Sequence, residues 1–133
     1  MRMTLCLQIA SETLSPEYLQ SAIGYKADKL TLKGADRSPP RAIPNANLWN
    51  GSLVLEGVAD IDEAVMTLLE KYPEMESRLE ILKNKHPDIS CTFYISMRPF
   101  SKDFILFLDK TTVNRLSQLG CDISLEYFDN NPE

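Results

Sequence analysis

The sequence predicts a single α+β domain, residues 1–133, with a mixed β-sheet of about six strands and three to four helices packed mainly on one face. Three observations predict it. Met3–Ile9 and Ile89–Met97 alternate apolar and polar residues with the period of a half-buried strand. Between them, Ile61, Ala64, Val65, Leu68, Leu69 and Tyr72 recur at helical spacing. The closing block, Phe104–Phe128, reads strand, helix, strand, a sequence that favours parallel pairing through a crossover. The expected order is β-α-β-β-α-α-β-β-α-β.

The first strand turns its Met3, Leu5, Leu7 and Ile9 side chains to one face. Leu14-Ser15-Pro16-Glu17 then opens a helix: Ser15 caps it, Pro16 fills the first helical position, and Leu14 can staple to Leu19. Leu19, Ala22 and Ile23 are expected to face inward until Gly24 ends the helix. Leu30-Thr31-Leu32 reads as a short second strand. From Gly34 to Asn47 the chain has three prolines, two arginines (Arg37 and Arg41) and no usable apolar period. A loop of that length is either a flexible connector or a binding loop.

Leu48–Leu55 returns to strand character, with Asn50-Gly51 as the tip of a tight hairpin or a bulge. Trp49, the only tryptophan, reads as a core anchor in preference to an exposed recognition residue. Asp60 begins the next helix, and Pro73 divides it from a second one that runs from Glu74 to about Lys85. Met75, Leu79 and Leu82 line that helix, and Glu74–Arg78 has the spacing of an ion pair. His86 at its end suits the helix dipole better than catalysis. After the strand at Ile89–Met97, Phe104–Leu108 reads as a fully covered strand. Asp109 is a helix cap with Leu108 and Val113 as its staple, Val113, Leu116 and Leu119 form the buried stripe, and Gly120 ends the helix. Cys121, Ile123, Leu125 and Tyr127 then form the dry side of a last strand whose wet side is Asp122, Ser124 and Glu126. Residues 129–133 read as a flexible tail.

Composition narrows the function classes. The apolar fraction of 44% and charged fraction of 25% are those of a folded protein, and no apolar run reaches the roughly 20 residues of a membrane helix. Met1-Arg2-Met3 leads into a strand with no signal-like core, so a cytoplasmic location is expected, without membrane association. The three cysteines are widely spaced and odd in number, which argues for buried thiols and against a disulfide framework. The net charge of −5 is uneven: residues 1–50 hold six Lys/Arg against four Asp/Glu, residues 51–133 eight against fifteen. That balance disfavours nucleic acid and suits a basic protein partner.

Reactive constellations are missing. Five glycines never fall at phosphate-loop spacing, GxSxG and HExxH do not occur, and one histidine supports neither a metal site nor a serine triad. Asp122 and Glu126 share a strand face about 13 Å apart, too far for an acid/base pair on their own. No catalytic residue, metal or cofactor is expected.

Leu7–Gly34 resembles the opening of the bacterial family catalogued as "domain of unknown function 4279": a strand, a Leu-Ser-Pro-Glu-like helix start, a helix ending at Ile-Gly and a strand ending at Lys-Gly. Trp49 falls where that family has a tryptophan, and Ile105–Tyr127 is similar to its closing segment. Tyr25-Lys26-Ala27-Asp28, where members tend to have a Pro-Thr pair, and the proline-rich loop depart from it. The resemblance implies a fold and transfers no activity. The expected function is a non-catalytic protein-interaction module, an immunity-type or regulatory binder of a basic partner. Its surface would be drawn from Arg37, Arg41, Trp49, Glu74, Glu76, Glu80, Asp122 and Glu126. The alternatives are a small-molecule domain or enzyme with a pocket on the sheet face closed by the 34–47 loop, and a homo-oligomer joined through an edge strand.

Overall fold

The computed structural model describes residues 2–35, 43–57, 60–98 and 107–127. These form β1 (Arg2–Ser11), α1 (Pro16–Ile23), β2 (Lys29–Thr31), β3 (Asn47–Glu56), α2 (Ile61–Glu70), α3 (Met75–Lys85), β4 (Ser90–Arg98), α4 (Lys110–Gln118) and β5 (Asp122–Tyr127). The strands lie side by side as β2-β3-β1-β4-β5, antiparallel except for the parallel β4–β5 pair. The α+β class and the mixed sheet follow the sequence reading, with five strands among the described residues.

Of the extra strand expected at Phe104–Leu108, residues 104–106 lie outside the described set, and Phe107 and Leu108 are not in a strand. The parallel partner of β5 is β4, with α4 as the crossover between them. A crossover must carry the chain back along the sheet, and the long segment after Arg98 has the length for it. Arg37, Arg41 and the tail at 129–133 also lie outside the described residues.

The strand alternation builds one core. Met3, Leu5, Leu7 and Ile9 are fully buried, as are Trp49, Phe93 and Ile95 on the strands beside them. The helices close over this face: Leu19 and Ile23 from α1, Val65 and Leu68 from α2, Met75 and Leu79 from α3, and Leu116 from α4 join the same cluster. Ser15 accepts from the Tyr18 amide, Asp60 from those of Asp62 and Glu63, and Asp109 from that of Thr112, so three helices begin where their capping residues predict. Two expected stripes are shifted. Ala22 is exposed, leaving Pro16, Leu19 and Ile23 as the inner face of α1. Val113 is 44% exposed, and α4 instead buries Thr112 and Leu116 with Leu119 beyond them, spaced i, i+4, i+7.

Asn50-Gly51 is neither hairpin nor bulge. β3 runs straight through it, with Asn50 opposite Gln8 and Gly51 opposite Leu7 on β1. A Cβ on Gly51 would run into the Tyr72 hydroxyl and the Trp49 ring, so glycine is required by a close approach inside the core. Trp49 itself is fully buried, and its indole Nε1 donates to the Tyr25 carbonyl at 3.0 Å. The core-anchor reading holds, and Trp49 leaves the set of surface residues.

Cys91 and Cys121 correct a second expectation. They stand one position before the first paired residues, Thr92 and Asp122, of the parallel ladder, with Cα atoms 4.6 Å apart, and they form a disulfide. Two residues brought side by side by strand pairing satisfy the Cα spacing that this bond needs. Sequence spacing could not show it, because 30 residues separate them.

Candidate functional site

Among the described residues, four helices cover one side of the sheet and none covers the other. On it stand Arg2, Thr4, Cys6, Gln8 and Ala10 of β1, with Thr92, Tyr94, Ser96 and Arg98 beside them on β4. Most of these residues are half-buried by their neighbours in the sheet. The Gln8 amide reaches the Tyr94 hydroxyl at 3.4 Å, and the Cys6 thiol reaches the Asn50 side-chain oxygen at 3.5 Å. Burial and, secondarily, the Asp28 carboxylate push the Cys6 thiol up to about 11, so it is protonated at neutral pH and a poor nucleophile. The same two influences, burial first, hold the Tyr72 phenol at about 12.

Two clefts indent this face. One, of about 250 Å³, lies between Arg2, Thr4, Ser96 and Arg98. The other, of about 320 Å³, lies at the opposite end and is bordered by Gln8, Ser11, Asp88 and Ser90 together with Asn45 and Ala46. Asp88 accepts from the hydroxyls of Ser11 (2.8 Å) and Thr13 (3.0 Å) and from the Glu12 amide (3.2 Å). These bonds favour the charged form, with Ser11 the largest influence, and hold the Asp88 carboxyl below the usual carboxylate range. Because the folded-state value is lowered, the stabilisation is complete above the unfolded value and is lost as the pH falls through the folded one. Asp88→Asn should therefore lower the melting temperature at neutral pH. Its deficit relative to wild type should shrink on acidification below about pH 4, which paired thermal melts across pH will show.

The third feature is the β5 edge. Ile123, Leu125 and Tyr127 are in register with the buried Phe93, Ile95 and Met97 and point to the helix side. Yet they are 38%, 46% and 51% exposed, because β5 lies at the margin of the sheet, beyond the cover of the helices. Asp122, Ser124 and Glu126 occupy the open face, where Glu126 accepts from the Ser96 hydroxyl at 3.4 Å. Both sides of this strand are thus exposed, whereas its alternation predicts one dry side.

The acidic residues expected to form one surface are divided between the two layers. Glu74 pairs with Arg78 at 2.9 Å and Glu76 lies 3.4 Å from Arg115 Nε, both on the helix layer, with Glu80 exposed there. The Glu76–Arg115 contact lacks hydrogen-bond alignment, and its exposure makes it a weak ion pair. Asp122 and Glu126 are on the opposite layer and belong to no ion pair among the described residues. Trp49 and Tyr94 lie on opposite faces of the sheet, so no one pocket on a sheet face can be lined by both. Sequence reasoning missed the Arg2–Arg98 juxtaposition and the Asp88 hub, because both depend on strand register. Among the described residues no group of three or more His, Cys, Asp and Glu side chains could hold a metal ion, and no helix is long and apolar enough to cross a membrane.

No curated protein and no solved structure matches this chain. A family model does, over residues 1–130, which takes in β1 through β5 and so the whole of the sheet and its helices. The chain belongs to the family described as Domain of unknown function (DUF4279).

Proposed function

We propose that the protein is a non-catalytic interaction module, of the immunity or regulatory type, that takes an extended segment of a partner protein as an added strand along β5. The observation that supports this reading is the half-exposed apolar pair Ile123 and Leu125 on the six-residue strand at the edge of the sheet that the described residues form. An edge strand offers a row of backbone donors and acceptors, and side chains on either face select the incoming strand. Here the helix side asks for apolar residues. The open side, with Asp122 and Glu126, asks for basic ones, and like charges directly opposite would oppose pairing. The partner segment therefore alternates apolar with Lys or Arg residues. At the other edge, β2 is only three residues long and makes a poor template.

Affinity purification followed by amide hydrogen exchange on the complex tests this. The expected outcome is a stoichiometric complex in which residues 122–127 gain protection. Leu125→Glu should abolish it, and the Asp122→Lys/Glu126→Lys double variant should slow association and weaken its salt dependence. Protection elsewhere, or a complex indifferent to these exposed positions, would sink the reading. A doubled mass for the purified chain alone, with β5 protected, would make a second copy the occupant. A second reading, a small-molecule site bordered by the 34–47 loop, is favoured by the cleft in which Asn45 and Ala46 meet Gln8, Asp88 and Ser90.

A further inference from the structure

α1 and α3 run side by side in opposite directions: Tyr18 near the start of α1 meets His86 at the end of α3, and Ile23 at the end of α1 accepts from Arg78 near the start of α3. The two helices bury Pro16, Leu19 and Ile23 on one side and Met75, Leu79 and Leu82 on the other. Above these contacts a cleft of about 240 Å³ opens between them. It exists because α1 lines it with Ser21 and Ala22, whose side chains are too short to close it. Tyr18 and Ile81 also line it and remain 45% and 57% exposed. Ile81 is the one apolar residue of α3 outside its buried stripe, at a position where an amphipathic helix normally places a polar residue. Core packing gives no account of it.

The polar groups of the cleft differ in what they can still bind. Arg78 is committed, donating to the Ile23 carbonyl at 2.8 Å and to Glu74 at 2.9 Å, and the Tyr18 hydroxyl lies 3.4 Å from His86 Nε2. Lys85 lines the cleft and makes no hydrogen bond or ion pair with any described residue. One unspent ammonium beside apolar walls suits an anionic head on an apolar body. We propose that this cleft binds a small monocarboxylate with an aromatic or branched aliphatic body, its carboxylate on the Lys85 ammonium. The body lies against Tyr18, Ala22 and Ile81, over the buried Leu82. The volume is below the roughly 300–1,000 Å³ of sites for larger ligands, which limits that body to about one ring. At the far end Glu74 already neutralises Arg78, so a second carboxylate on the ligand would meet a like charge there. This site is on the helix layer and uses nothing of β5, so it stands or falls apart from the strand-addition reading.

Titration of the isotope-labelled full chain with benzoate, 4-methylpentanoate, benzyl alcohol and acetate at fixed pH and ionic strength, followed by amide NMR, tests the proposal. We expect saturable shifts confined to residues 18–22 and 78–85 with at least one of the two apolar carboxylates. Saturation by benzoate alone assigns an aromatic body, and by 4-methylpentanoate alone a branched aliphatic one. Benzyl alcohol lacks the charge and acetate lacks the body, so each should bind at least severalfold more weakly. Ala22→Leu fills the cleft and should abolish saturation, while Tyr18→Ala and Lys85→Gln should each raise the apparent Kd severalfold. Lys110→Gln, on α4, changes net charge equally and should leave the Kd unchanged. All four positions are exposed, so the fold survives the substitutions. Shifts that saturate with neither apolar carboxylate, benzyl alcohol binding as tightly as benzoate, binding that persists in Ala22→Leu, or an equal loss in Lys110→Gln would overturn the proposal.

Discussion

Trp49→Ala should cost about 3–5 kcal/mol, measured as the change in unfolding free energy in urea. The indole sits between β3 and the helices, edge-on to Tyr72 at 5.4 Å, and Tyr72 in turn meets Tyr25 at 5.2 Å. Removing it leaves a cavity bounded by residues that other contacts already hold. Gly51 makes room for the Tyr72 hydroxyl, and Arg78 lies over the Tyr25 ring at 4.8 Å while donating to the Ile23 carbonyl at 2.8 Å. A site held from so many sides collapses poorly, and poor collapse puts the cost in the upper part of the range. Trp49→Phe keeps much of the packing but leaves the part-buried Tyr25 carbonyl without its donor, which should cost about 1 kcal/mol. Gly51→Ala approaches the same nest from the other side, by overpacking, at about 1–3 kcal/mol. If Trp49→Ala changed stability by less than about 1 kcal/mol, the core would not be organised around this residue.

The same nest shows where sequence reading succeeds and where it stops. Helix limits were legible because caps are local: Ser15, Asp60 and Asp109 each satisfy amides two or three residues away, so the signal and its cause lie in one short window. Strand alternation in β1 and β4 was legible because both lie in the interior of the sheet, where one face is covered and the period of two survives intact. Gly51 was misread because its local signature, Asn-Gly between apolar residues, is also that of a hairpin. What decides between them is a tyrosine 21 positions away in the chain. β5 was misread on one side for a related reason. Its alternation encodes a potential dry face, but only the extent of the helix layer determines whether that face is covered.

Candidate sites were less legible than the fold, and for a physical reason. Arg2 and Arg98 are 96 positions apart and become neighbours only through the β1–β4 register. Asp88 looks like any loop carboxylate until the end of β1 brings Ser11 and Thr13 to it. The acidic residues failed in the opposite sense. Glu74, Glu76 and Glu80 are close to one another in sequence on α3, and Asp122 and Glu126 are close on β5, yet a sheet stands between the two groups. Composition counts charge without regard to layers, and an interface requires that charges share one.

Reducing the Cys91–Cys121 bond should lower the unfolding free energy by about 3–4 kcal/mol, the loop-closure value for a separation of about 30 residues. The loss should be uneven. Among the described residues β5 pairs only with β4, and its half-exposed apolar row contributes little burial. The disulfide ties the start of this strand at Cys121, so reduction should first raise amide exchange at Ile123 and Leu125 while β1 stays protected. Thiol titration in denaturant supplies the chemical check. Without reductant it should count one thiol, from Cys6, and after reduction three. Cys121→Ser should reproduce the shift in urea midpoint without any reductant, which separates the bond from side effects of the reagent. Disulfides are rare where glutathione keeps thiols reduced, so the same titration on freshly isolated protein reports the redox state of the compartment it comes from. Three free thiols there would place the chain in a reducing compartment with β5 loosely held. One thiol would mean that the strand offered for pairing is kept in register by a covalent tie, and that its capacity to take a partner strand should fall when the tie is cut.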